Sequence, residues 1–300
     1  NDHAIGTSIA DRIVGNLDAN VIYGALGNDD IEGGGGNDRL YGGEGFDRLR
    51  GDAGDDLLEG ATGNDDLIGG DGNDTIIGGA GVDRIRGDAG NDIISAGDGN
   101  DIDVQGGLGN DTIHGGNGDD VLLGVDGNDI LNGDDGNDTL NGNLGADTLT
   151  GGNGSDTFVF DNLGAADVIT DFNSTEMDKI DFSGASMFQF DKTDVATLPQ
   201  DNEMSNGKIY LESVNFTDFT SGESLTFIQN NFQFLNDGAA PQQNIVILNG
   251  TTTDAGGVVT GKDAGIFYLS DINNDGLVNA GEVTLLGTVE NTLLEQNDLV

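Results

Sequence analysis

Along the first half of the chain one apolar side chain recurs every nine residues. The series runs Ile13, Ile22, Ile31, Leu40, Leu49, Leu58, Leu67, Ile76, Ile85 and Ile94, then Ile113, Leu122, Leu131, Leu140, Leu149 and Phe158. Nine is the period of neither a helix face nor a half-buried strand, and a fixed long period marks stacked repeats. Frames of nine start at Gly6 and follow one another to Ala96. After one inserted residue, Gln105, they resume at Gly106 and end at Val159, giving 17 frames. Glycine holds the first place in 16 frames and the fourth in 15. Aspartate holds the sixth in 16, with Asn20 the exception, and Asp103 is the one polar residue at the eighth. Gly69-Gly70-Asp71-Gly72-Asn73-Asp74-Thr75-Ile76-Ile77 is representative.

Glycines at fixed offsets permit tight backbone paths, so the first six places predict a loop and the last three a very short strand. Asparagine in the fifth place, as at Asn28, Asn64 and Asn128, also suits a turn. The eighth place points inward. The seventh and ninth point out and carry Arg39, Arg48, Asp66, Arg84, Thr112, Glu32 and Glu59. One inward side chain per nonad is a thin core that only stacked neighbours can bury. Two nonads close one coil of 18 residues, so the frames make about 8.5 coils, or roughly 40 Å at ~4.8 Å per layer. An echo supports this: residues 45–54 (GFDRLRGDAG) recur at 81–90 (GVDRIRGDAG), two coils later. Ala96, Asp103 and the inserted Gln105 break one coil, where Val104 takes the inward place as a bulge. The first two frames carry Ile9 and Asp18 instead of the fourth-place glycine, which suits an N-terminal cap or an imperfect site.

The pattern changes near Phe160. Residues 161–300 hold all four lysines, both prolines and ten of the 13 phenylalanines. Short apolar runs at 208–211, 225–227 and 244–248 alternate with polar loops. The expected fold class is therefore all-β: a 17-nonad solenoid over 1–160 (nonads 6–104 and 106–159), then a β-rich domain over 161–300. That domain would cap the open end and guard its strand edges from aggregation.

Charge adds the chemistry. Fifty-five acidic residues against ten basic ones give a net charge of −45, which opposes nucleic acid and anionic membranes as partners. There is no cysteine, no stretch long enough for a membrane span, and no charged-then-apolar leader. In the coil the sixth-place aspartates form two ladders with rungs near 5 Å, where unit charges repel by ~0.8 kcal/mol even in water. About fourteen such pairs total roughly 12 kcal/mol, as much as a domain's whole stability. Cations between the rungs would relieve this. Carboxylates and loop carbonyls suit Ca²⁺, whereas Mg²⁺ keeps its waters and Zn²⁺ prefers His or Cys.

These residues resemble the RTX (repeats-in-toxin) family, whose repeat is G-G-x-G-x-D-x-U-x with U apolar. Residues 115–123 (GGNGDDVLL) are a full copy. The resemblance implies a parallel β-roll holding each Ca²⁺ between turns n and n+2 through sixth-place aspartates and loop carbonyls. The implied ligands are Asp29, Asp38, Asp47, Asp56, Asp65, Asp74, Asp83, Asp92, Asp101, Asp111, Asp120, Asp129, Asp138, Asp147 and Asp156. About 10–12 ions are expected. Residues 151–183 resemble the junction into the C-terminal domain of serralysin-type proteases and other type I-secreted proteins. There Asp167 or Asp171 is either a last ligand or a solvated acid.

Asp271, Asn273, Asp275, Leu277 (through its carbonyl) and Glu282 fit the EF-hand loop pattern, with Gly276 at the bend. Its flanks, 265–270 and 283–289, read as strands. The loop over 271–282 is thus either one further calcium site or an Asx-rich turn that binds nothing. The ending Asn297-Asp298-Leu299-Val300 resembles the C-terminal signal read by type I ABC secretion systems.

No catalytic constellation is legible: the chain has no H-E-x-x-H and no G-x-S-x-G. His3 and His114 read as solvated side chains. The expected function is an extracellular, secreted, non-enzymatic module that folds on calcium after type I secretion. The alternatives are the non-catalytic C-terminal part of a secreted protease or lipase, and a surface or adhesin spacer.

Overall fold

The computed structural model describes residues 2–160, 165–173 and 175–181. Beyond these it describes the strands Val195–Thr197, Glu203–Met204, Lys208–Val214, Gln233–Phe234, Gln243–Thr253, Val259–Ser270 and Val283–Val289. No helix occurs among the described residues. The chain divides into two compact units, Asn1–Thr157 and Phe158–Val300.

The first unit is a parallel β-roll. Successive nonads feed two sheets alternately, and each strand pairs in parallel with those one coil before and after it. One sheet contains Arg39–Glu44, Leu57–Thr62, Thr75–Ala80, Ile93–Asp98, Thr112–Asn117, Ile130–Asp135 and Thr148–Asn153. The other contains Arg12–Val14, Asp30–Gly35, Arg48–Ala53, Asp66–Asp71, Arg84–Ala89, Asp103–Leu108, Val121–Asp126 and Thr139–Leu144. The inward side chains from Ile22 to Leu149, with Val104 in place of Asp103, are at most 1% exposed and stack into two columns. Fully burying each such side chain contributes about 1.5–3 kcal/mol.

The strands are longer than the sequence pattern suggests. Each typically spans six residues, the last three places of one nonad and the first three of the next. Pairing resumes after the first-place glycine because the second place takes a left-handed φ, +114° at Gly79, and Gly79 then pairs with Gly97. The first place points inward beside the eighth. A Cβ there would collide with the frame's own aspartate, as at Gly69 against Asp74, which is why glycine fills this place in every frame but the one that starts at Ala96.

The irregular coil also differs. Val104 is buried and pairs with Ile85 and Leu122, as expected. The extra residue is Ile102 in the turn, 64% exposed, and not Gln105, which sits in the strand opposite Arg86. The turn accepts an extra residue because it lies outside the ladder, whereas a residue added to the strand would flip every later side chain.

In the second unit Asp167–Ile169 pairs in parallel with Val283–Val289, which pairs antiparallel with Val259–Ser270. The latter pairs antiparallel with Gln243–Thr253, and that strand in parallel with Lys208–Val214. Phe158 and Phe172 pack with ring centroids 6.0 Å apart, and Phe160, Ile169, Ile180, Ile266 and Leu286 are also buried.

Candidate metal centre

The turns of the roll carry a regular polar structure. Fifteen sixth-place aspartates, Asp29 through Asp156, are each no more than 4% exposed. They form two columns. In one, the main-chain N–H of Asp29 donates to Oδ1 of Asp47 at 2.8 Å, and the pattern continues through Asp65, Asp83, Asp101, Asp120, Asp138 and Asp156. The other links Asp38, Asp56, Asp74, Asp92, Asp111, Asp129 and Asp147 in the same way. The second oxygen, Oδ2, is buried and hydrogen-bonds to nothing in the thirteen from Asp29 to Asp138. A buried carboxylate with one unmatched oxygen is costly, and a run of them at identical places calls for a counter-charge.

Burial drives the titration. Desolvation, the leading cause, pushes the carboxyls of Asp56, Asp65, Asp129 and Asp138 up to about 7. It pushes those of Asp74, Asp83, Asp92 and Asp120 up to about 6. The N–H donated from one coil earlier pulls each of these down, and repulsion from other acids adds to the rise. The sequence picture of mutually repelling ladders thus has the terms in the wrong order. The main cost is removing each carboxylate from water, and repulsion follows.

The surroundings fit a hard cation. A Cβ at Gly51 would fall against Asp56 Oδ2 and 2.7 Å from the carbonyl oxygen of Gly69, one coil on. At Gly115 the same point meets Asp120 Oδ2 and lies 2.7 Å from the Gly133 carbonyl oxygen. Carboxylate and carbonyl oxygens therefore gather around most first-place glycines. Among the described residues no three His, Cys, Asp or Glu side chains converge. Main-chain oxygens must supply the rest of any ligand set, as calcium tolerates and zinc does not.

The first two frames solve the problem without an ion. Asp11 Oδ2 accepts from the Thr7 N–H and, at 2.9 Å, from its hydroxyl. Asn20 replaces the carboxylate with an amide: its Oδ1 accepts from Asn16 N–H and its Nδ2 donates to the Asp18 carbonyl at 2.7 Å. These residues behave as a cap.

A second ladder escaped the sequence reading. Fifth-place side chains accept the N–H one coil later: Asn28 from Phe46, Asn73 from Asn91, Asn110 from Asn128 and Asn128 from Ala146. The fifth-place Asn preference was visible, but a turn-forming role explained it without a partner. His114 lies on the outer face with Nδ1 3.3 Å from Asp134 Oδ2. Asp167 is 7% exposed. Asp271, Asn273, Asp275, Leu277, Glu282 and the C-terminal Asn297–Val300 lie outside the described residues.

A two-sheet parallel roll with a buried column of aspartate carboxylates at each turn edge has the oxygen chemistry of a cation-binding solenoid. Segments 5–40, 32–67, 41–76, 68–103, 103–131 and 123–158 match the RTX calcium-binding nonapeptide repeat, so 5–158, just over half the chain, is covered. The chain belongs to that family. A solved structure similar to it is the solution structure of the AlgE6R3 subunit from the Azotobacter vinelandii mannuronan C5-epimerase. It is 21% identical, with a TM-score of 0.32, over 65% of this chain and 80% of that one. No curated protein matches.

Proposed function

We propose that this chain is an extracellular calcium-binding module whose folding is driven by the ion after type I secretion. The observation that carries the reading is the pair of buried aspartate columns, in which the Oδ2 atoms from Asp29 to Asp138 have no hydrogen-bond partner. Asp29 through Asp156 supply one ligand oxygen set per turn, and first-place glycine carbonyls supply another. About 10–12 ions fill the roll, and the 271–282 loop takes one more. Ligand binding confined to the folded state is folding free energy, so the chain stays unfolded in a low-calcium cytosol and folds at millimolar calcium outside. The roll occupies 1–160 and performs no catalysis, and 161–300 protects its end and carries the export signal.

The test is far-UV circular dichroism with hydrodynamic radius, titrated with Ca²⁺ from chelator to about 10 mM, with Mg²⁺ as control. A cooperative, Ca²⁺-specific gain of β-signal and compaction supports the reading. A compact β-rich chain already present in chelator at neutral pH overturns it.

A further inference from the structure

The outer face of the sheet from Thr75–Ala80 to Thr148–Asn153 contrasts with the rest of this strongly acidic chain. In its five strands the seventh and ninth places hold no Asp, Glu, Lys or Arg. Ile77, Ile93 and Ile130 are exposed there by 38%, 56% and 45%, beside His114, Thr148 and Thr150. In the seventh column Thr75, Ile93, Thr112, Ile130 and Thr148 stand in unbroken register. Isoleucine and a hydroxyl alternate, so each recurs every two layers, about 9.6 Å. The opposite sheet differs. Its seventh column over Arg12, Asp30, Arg48, Asp66, Arg84 and Asp103 alternates in charge, with Arg84 Nη2 2.8 Å from Asp103 Oδ2.

The size and charge of the strip select its occupant. Five strands span about 19 Å, and two outward places per strand span roughly 7 Å, on the order of 200 Å² with side chains. A stable protein interface needs about 800 Å² per partner, so the strip is too narrow for a second copy or another folded protein. Asp134, exposed in the Ile130–Asp135 strand and 3.3 Å from His114 Nδ1, joins Asp98, Asp126 and Asp135 at the rims, and these acids repel polyanions. A slim, uncharged polymer with alternating apolar and hydroxyl faces fits. We propose that this face binds one extended strand of a neutral polysaccharide, with isoleucines against sugar C–H faces and hydroxyl and amide groups against sugar hydroxyls.

The experiment measures retention of the full chain on microcrystalline cellulose and its mobility in gels containing soluble neutral glucan, at saturating calcium. Polygalacturonate is the anionic control. Ile93→Asp with Ile130→Asp should lower affinity for neutral glucan by about tenfold or more, while Arg50→Ser with Arg86→Ser on the opposite sheet leaves it unchanged. Circular dichroism in calcium confirms that both variants keep the roll, which separates loss of the face from loss of calcium-driven folding. Binding to neutral glucan that responds in this way supports the proposal. Three outcomes overturn it: no retention on either neutral matrix, retention indifferent to the isoleucine changes, or self-association of the wild type that those changes abolish.

Discussion

Replacing Asp129 with asparagine should change stability in opposite directions with and without calcium. Asp129 is fully buried; its Oδ1 accepts the Asp111 N–H at 2.8 Å, and its Oδ2 has no protein partner. Burial raises its carboxyl from 3.8 to about 7. Holding the carboxyl at about 7 penalises the ionised folded state by roughly 4 kcal/mol above pH 7, at about 1.4 kcal/mol per tenfold change in proton affinity. Asparagine removes that penalty and keeps the bond to Asp111 N–H. It adds an N–H₂ group that must find an acceptor, at a cost of about 1–3 kcal/mol if it finds none. Asn20 shows that an amide can lie buried at this place with both ends satisfied. The metal-free variant should therefore be more stable than wild type by about 1–3 kcal/mol at pH 8. In calcium it loses a ligand oxygen and should melt at a lower temperature. Two measurements check this. One is folding of the chelated chain driven by an excluded osmolyte such as TMAO, which the variant should need less of. The other is a thermal melt at about 10 mM Ca²⁺. A shift of the same sign in both conditions would refute the argument that the buried charge is the term calcium offsets.

Further outcomes follow from other positions. The raised carboxyls at about 6 to 7 lie above the unfolded value near 4, so their contribution to the metal-free roll is complete at low pH. It is lost as pH rises through about 6–7. In chelator the β-signal should thus appear on acidification with a midpoint in that window, and calcium binding at pH 7 should release protons measurable by pH-stat. Val125 holds a left-handed φ of +88°, so Val125→Gly should raise stability in calcium by about 1–2 kcal/mol, read as a higher melting temperature. Ile85→Ala, in the middle of a core column, should cost about 2–5 kcal/mol by denaturant titration. Arg84→Ala removes only a half-exposed ion pair and should leave the denaturant midpoint nearly unchanged.

The nine-residue spacing made the roll legible because each column has a single physical cause. The eighth place needs an apolar side chain, and a Cβ at the first crowds the frame's own aspartate. What the spacing could not reveal was direction. Nothing in the string distinguishes an aspartate facing solvent at a turn from one turned inward with its Oδ1 clasping the previous coil. Buried in this way, the carboxylates lose their hydration before they repel one another. Strand length was underestimated for a related reason. Glycine at Gly79 reads as loop, yet pairing continues through it because left-handed glycine is compatible with the ladder. Gln105 and Ile102 were indistinguishable as the extra residue until burial located the turn.

The turn that contains Ile102 points to how such a molecule changes length. Across it the hydrogen bonds run between residues 19 apart, Asp92 N–H to Asp111 and Asp101 N–H to Asp120, at 2.7 and 2.8 Å, as elsewhere they run at 18. The lattice counts layers and is indifferent to the number of residues between them. Lengthening by whole coils preserves which sheet every later strand joins, whereas gaining a single nonad would exchange the two outer faces for the remainder of the roll. Arg12, Arg48 and Arg84 recur at 36 residues and share one sheet, as expected of growth by paired nonads. Surface character is thus inherited in units of two, and peptide grafts at a turn can be absorbed without disturbing either face.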